Sequence, residues 1–240
     1  MRTVMKSETR EVVLSTAGPV IMIGEKINPT GRKRLAGALQ GMEMDYIRQL
    51  AVQQAEAGAD LLDVNVGVPG LDEATVLPEV VKVVAQTVDL PLCIDTANPE
   101  ALAAALPVAP GKPLVNSVNG EESSLKSVLP LVKERGAAVI GLTMDEDGIP
   151  SDPETRAAIA EKIVERAVQM GMPADDVVID PLVLTVGADA NAGAVTLRTI
   201  ELVRERLGAN VNLGATNVSF GLPERPTLNQ AFLALAIKAG

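Results

Sequence analysis

A chain of 240 residues with a net charge of −10, 47% apolar residues and no histidine leaves several functions out. It lacks the Lys/Arg footprint that phosphates require, which excludes nucleic acid as a partner. Without histidine it has neither Ser-His-Asp nor Cys-His catalysis nor the usual zinc and non-haem iron ligand sets, so no metal site is expected in it.

The single cysteine, Cys93, rules out an internal disulfide framework and, lying in an apolar run, reads as core. The first ten residues are polar and charged and hold no signal peptide. No apolar run reaches the roughly 18 residues of a membrane span, so a cytoplasmic protein with no membrane partner is expected. Residues 1–18 read as an N-terminal extension without an assigned element. From there, short apolar runs alternate with longer amphipathic stretches. Strands are predicted at Val20–Gly24, Leu61–Asn65, Leu92–Asp95, Leu114–Asn116, Ala138–Leu142, Val177–Asp180 and Val211–Gly214. Helices are predicted near 41–57, 74–87, 99–106, 123–135, 153–171, 193–207 and 227–239. Asp152-Pro153 supplies a cap followed by proline at the first helical position. Gly58, Gly136 and Gly171 stand where helices should end in a left-handed residue.

Repeated strand–helix alternation without a linker predicts one α/β domain over 1–240, a (β/α)8 TIM barrel with its helices outside. The last unit is missing from the pattern. The chain stops at Lys238-Ala239-Gly240, where a helix should hand over to an eighth strand, and the expectation is a chain shortened by truncation or disorder. An open sheet of seven strands is the alternative. With two Phe, one Tyr and no Trp, the core must be aliphatic.

In a barrel the chemistry sits where strands end. Those positions carry Glu25, Asn65, Asp95, Asn116, Asp180 and Asn217. One polar residue at a strand end is ordinarily a cap or a turn former. Six amides and carboxylates on one face are better explained as a site. There is no phosphate-binding glycine loop. The set suits a flat heterocycle rich in hydrogen bonds, because a carboxylate accepts two N–H groups side by side and an amide serves ring atoms as donor or acceptor.

The motifs around these positions resemble the methyltetrahydrofolate:corrinoid/iron-sulfur protein methyltransferases, within the pterin-binding, dihydropteroate synthase-like superfamily. They are Gly24-Glu25-Lys26-Ile27-Asn28-Pro29-Thr30-Gly31, Asp63-Val64-Asn65, Ile94-Asp95-Thr96, Asn116-Ser117-Val118-Asn119-Gly120-Glu121, Ile179-Asp180-Pro181-Leu182, and Asn217-Val218-Ser219-Phe220-Gly221-Leu222-Pro223 with Arg225. They fall in order from about residue 20 to the chain end. The resemblance implies a pterin-binding barrel acting on methyltetrahydrofolate or tetrahydrofolate. Its co-substrate would be a corrinoid (cobalamin) carried by a partner corrinoid protein. It also implies that Asp95, Asn116 and Asp180 hold the ring, that Asn217 lies near the methylated N5, and that Ser219 and Arg225 belong to the framing loop. Family members are homodimers as a rule, and that is the only ground for expecting one here. A dihydropteroate synthase is a rival reading, against which stands the lack of a basic cluster for a diphosphate. A folate-binding protein without catalysis is another.

Overall fold

A computed structural model describes residues 1–240. Its first feature was not expected. Residues of the extension form an antiparallel hairpin, β1 (Arg2–Lys6) and β2 (Glu11–Ser15), with Val4 facing Val13. Met5 and Val12 are buried against Leu61, Cys93, Leu114, Ala138 and Ile140. Most of these lie at or near the strand starts, so the hairpin closes the N-terminal end of the sheet's inner face. Lys6 and Lys112 exchange backbone hydrogen bonds at 2.9 Å in both directions. The Asn210 side chain donates to Thr3 Oγ1 at 3.0 Å and to the Leu14 carbonyl at 2.9 Å.

The main sheet has six parallel strands in chain order: β3 (Ile23–Ile27), β4 (Leu61–Asn65), β5 (Leu92–Asp95), β6 (Leu114–Asn119), β7 (Ala138–Leu142) and β8 (Val177–Asp180). Helices intervene: α1 (Lys33–Gln40), α2 (Met44–Glu56), α3 (Glu73–Thr87), α4 (Pro99–Ala105), α5 (Glu122–Arg135), α6 (Pro153–Gln169), then α7 (Ala192–Leu207) and α8 (Arg225–Ala239). Side chains alternate faces along each strand. Leu62 and Val64 therefore join the 40-residue aliphatic core under the helices. Leu61 joins the smaller interior cluster with the hairpin. No helix is long and apolar enough to cross a membrane.

Four strand predictions hold at their boundaries, and the one begun at Leu114 runs on to Asn119. The first is displaced to Ile23–Ile27, since Val20 and Met22 are half exposed and the chain pairs only from Ile23 onward. Its ladder breaks between Gly24 and Ile27, where Lys26 N–H donates to Gln54 Oε1 at 2.6 Å instead. A Cβ at Gly24 would lie 2.7 Å from that oxygen and 3.0 Å from Leu62, so a larger residue there would displace the Gln54 side chain from its bond to Lys26. The seventh strand shrinks to a parallel bridge between Val211 and Ile179. It has a neighbour on one side only, and a 3-10 turn over Ala215–Ser219 soon follows it. The short α1 was not anticipated. Asp152 caps α6 by accepting from Thr155 N–H at 2.7 Å, and Gly58, Gly136 and Gly171 all have positive φ.

Candidate active site

The register of the central strands builds the site. Asn65 pairs with Asp95 across β4 and β5, and Asp95 with Asn116 across β5 and β6. Three predicted residues thus stand side by side, with Asn65 Nδ2 donating to Asp95 Oδ2 at 2.9 Å. Asn116 reaches down rather than sideways, its amide 3.4 Å from Asp63 Oδ2. A cavity of about 380 Å³ opens here, lined by Asp95, Asn116, Asn119, Glu121 and Leu142 among others. A larger hollow of about 500 Å³ beside Arg34 and Tyr46 includes none of the strand-exit residues.

Leu142 of β7 separates this row from the next ligand candidate, pairing with Asn119 on one side and Asp180 on the other. Asp180 is buried. Its Oδ1 accepts from Leu182 N–H at 2.8 Å and its Oδ2 from Asn212 Nδ2 at 2.7 Å. Burial pushes its carboxyl up to about 6, against the pull of those two donors. Each oxygen keeps a lone pair for a ligand N–H. Asp95 is also raised, first by burial, with Asn65 opposing and Glu25 adding to the shift.

The remaining predicted residues are placed differently. Glu25 falls inside the irregular part of β3, exposed, accepting from Asn28 Nδ2 at 3.2 Å. Asn217 does not end the seventh strand. It sits in the turn beyond, exposed, because the chain leaves the sheet after Val211. Asn212 takes the strand-exit position instead and reaches Asp180. The loop that carries Asn217 is tied by Ser219 Oγ donating to Asn229 Oδ1 at 2.6 Å. Arg225 Nε donates to Ser219 Oγ at 3.1 Å, and Arg225 Nη2 to the Thr216 carbonyl at 3.0 Å.

Sequence reasoning missed three residues that shape the site. Asn212 was hidden by the overlong seventh strand. Asp63 was visible only as the residue two before Asn65, on the same strand face. Arg156, 1% exposed, gave no local signal at all. Its guanidinium reaches from α6 to the carbonyls of Pro150, Pro181 and Leu182, each at 2.8 Å. It thereby fixes the corner after Asp180, where Leu182 has a φ of 60°. Arg156→Ala would leave the Pro150 and Pro181 carbonyls without a donor, while the Leu182 carbonyl would keep Thr196 Oγ1 at 2.9 Å. At roughly 1–3 kcal/mol for each group left unsatisfied, a loss of several kcal/mol is expected in urea unfolding. An unchanged midpoint would mean that the corner holds itself.

Comparisons with known proteins follow the same architecture. The family described as pterin binding enzyme matches residues 24–240. A methylcorrinoid:tetrahydrofolate methyltransferase of Eubacterium limosum is 33% identical over 227 residues, 92% of this chain and 82% of that protein. A methionine synthase of Mycobacterium tuberculosis is 31% identical over 234 residues, 92% of this chain but 20% of that much longer protein. Among solved structures, a dihydropteroate synthase of Yersinia pestis superposes with a TM-score of 0.73 at 19% identity, covering 100% of this chain and 89% of that one. One from Thermus thermophilus gives 0.72 at 22% identity, covering 99% and 90%. At such identities the likeness carries the fold, a pterin-binding TIM-barrel type of α/β sheet.

Proposed function

This chain belongs to the pterin binding enzyme family, and from that premise we propose that it is a cytoplasmic, homodimeric methyltransferase. It moves the N5 methyl group between methyltetrahydrofolate and the Co(I) corrinoid of a partner corrinoid protein. The observation that carries the reading is the donor set at the strand exits. Asn65, Asp95, Asn116 and the Asp180–Asn212 pair supply carboxylates and amides fit for a ring edge. Arg225, a cation that a diphosphate could use, is engaged by Ser219 and the Thr216 carbonyl. The Eubacterium limosum relative is named for this chemistry and spans most of the chain.

In this reading Asp180 and Asp95 accept the ring's N–H groups, and the Asn116 amide matches its heteroatoms. Asn217 donates to N5, where charge changes as the methyl leaves or arrives. The corrinoid supplies an exceptionally strong nucleophile. The chain contributes binding, orientation and a fixed dipole at N5. With no histidine available, the N5 proton comes from water or from a relay that includes a buried carboxyl.

The experiment mixes the protein with methyltetrahydrofolate and free Co(I) cobalamin and follows the visible spectrum for methylcobalamin. The reverse mixture, methylcobalamin with tetrahydrofolate, tests the other direction. Methyl transfer in either is the expected result. Binding of the folate with no transfer either way would leave a folate-binding protein. Condensation of p-aminobenzoate with a pterin diphosphate would make the chain a synthase.

A further inference from the structure

Asp63 is not one of the strand-exit residues, yet it lies directly beneath them. Third in β4, it shares the inward face with Asn65 and pairs in register with Cys93. It is 3% exposed. Its Oδ2 accepts from the Asn116 amide at a long 3.4 Å, its Oδ1 is buried without a hydrogen-bond partner, and the other donor beside it is the weak Cys93 thiol. The groups facing it are Cys93 and Asp95 from β5, Asn116 from β6 and, through space, Glu25 from β3. None is a cation.

An ionised carboxylate in such a place would be poorly compensated, for burial penalises the charge and two of its neighbours repel it. A neutral acid has different needs. Its O–H must find an acceptor, and the carboxylate that the same face of the neighbouring strand offers is Asp95, two residues beyond Cys93, the register partner of Asp63. At Asp95 the donor Asn65 Nδ2, 2.9 Å from Oδ2, opposes the effect of burial and favours Asp95 as the member of the pair that holds the charge.

We propose that Asp63 is a positioning residue that carries a proton and donates it to Asp95, so that the two carboxyls form one hydrogen-bonded pair with a single negative charge facing the pterin. The inference rests on reading Asp95 as a ring ligand and deepens it. The shared proton fixes the rotamer of Asp95, leaving its free lone pairs to face the cavity. It also keeps the floor of the site at one charge, where two would repel each other. The direction of titration agrees. Burial first, and Asp95 second, push the Asp63 carboxyl far above the usual carboxylate range, to about 8.

The test needs two readouts. Infrared difference spectra of the ligand-free protein at neutral pH should contain the C=O stretch of a protonated carboxyl, sensitive to deuterium, that disappears in Asp63→Asn. Calorimetry with methyltetrahydrofolate should show wild-type affinity falling on the alkaline side as Asp63 ionises. Asp63→Asn, which keeps a donor in place of the O–H, should bind within about threefold of wild type and lose that alkaline limb. Asp63→Ala, without a donor, should bind about tenfold or more weakly, the usual cost of a lost bond to a charged group. A wild-type protein without the protonated band, or an Asp63→Asn variant that keeps the alkaline limb, would overturn the proposal. Should Asp63→Asn fail to fold, carboxyl 13C NMR of the wild type decides. An Asp resonance still protonated at neutral pH supports the pair, and complete ionisation of every Asp by then refutes it. If the infrared band behaves as expected while methyltetrahydrofolate does not bind, the pterin reading fails and the shared proton stands.

Discussion

Asp180→Ala is expected to reduce pterin affinity below the range of calorimetry. The two carboxylate oxygens are held by Leu182 N–H and Asn212 Nδ2, at 2.8 and 2.7 Å, leaving one lone pair on each for adjacent ring N–H groups. Two charge-assisted hydrogen bonds at about 1.5–3 kcal/mol apiece correspond to roughly 10²–10⁴ in affinity. Asp95→Ala should weaken binding less, because Asp95 is only half-buried where Asp180 is buried.

The same carboxyl sets the acid limb of binding. With its pKa raised to about 6 by burial, the ionised form that would accept the ring predominates at neutral pH. Affinity should fall by about tenfold per pH unit below that value. Stability runs the other way. A carboxyl whose folded pKa exceeds its unfolded value of about 3.9 contributes stability that is fully present below 3.9 and lost as pH rises through the folded value. Ligand-free Asp180→Asn should therefore melt higher than wild type at pH 7 while binding poorly. Wild-type affinity in both Asp180→Ala and Asp95→Ala, alongside lowered stability, would make these turn residues and end the assignment.

How much of this was legible depended on what each residue does locally. The central strands could be read because strands covered on both faces carry unbroken apolar runs. Leu92–Asp95 and Val177–Asp180 each end such a run with a polar residue, Leu61–Asn65 does so with Asp63 interrupting it, and strand and candidate were found together. The hairpin was not legible. Each of its strands has five residues, and it is stabilised by distant partners such as Asn210 and Lys112 that no local pattern reveals. The seventh strand misled because Val211-Asn212-Leu213-Gly214 has a strand-like start but a single neighbour to bond with. That error hid Asn212. Asp63 escaped because it sits within the run, where alternation alone decides that it faces the interior. Arg156 escaped because its partners lie in two separate loops.

Asn217→Ala is the variant that separates chemistry from binding. It is expected to slow methyl transfer by roughly 10²–10³ while keeping most of the pterin affinity. The structure makes this a clean substitution. Asn217 is exposed in the turn Ala215–Ser219, and no protein hydrogen bond uses its side chain. The loop is tied instead by Ser219, Asn229 and Arg225. Its amide lies over Gly214, where an added Cβ would come within 2.9 Å of Nδ2, so the glycine leaves room for that side chain. Removing the amide should therefore leave the fold and the ring ligands Asp95, Asn116 and Asp180 in place. On the proposed function, Asp95, Asn116 and Asp180 grip the ring in both the methylated and demethylated forms, so that their contribution would be largely uniform across the reaction. A donor at N5 differs, since its bond strengthens as charge develops on the nitrogen, and only interactions that strengthen in the transition state raise the rate. Rapid mixing with excess Co(I) cobalamin reports the chemical step directly. A variant that transfers methyl at the wild-type rate would reduce Asn217 to a loop residue. One that loses rate and affinity together would make it a ring ligand, with the dipole at N5 to be sought elsewhere on the rim.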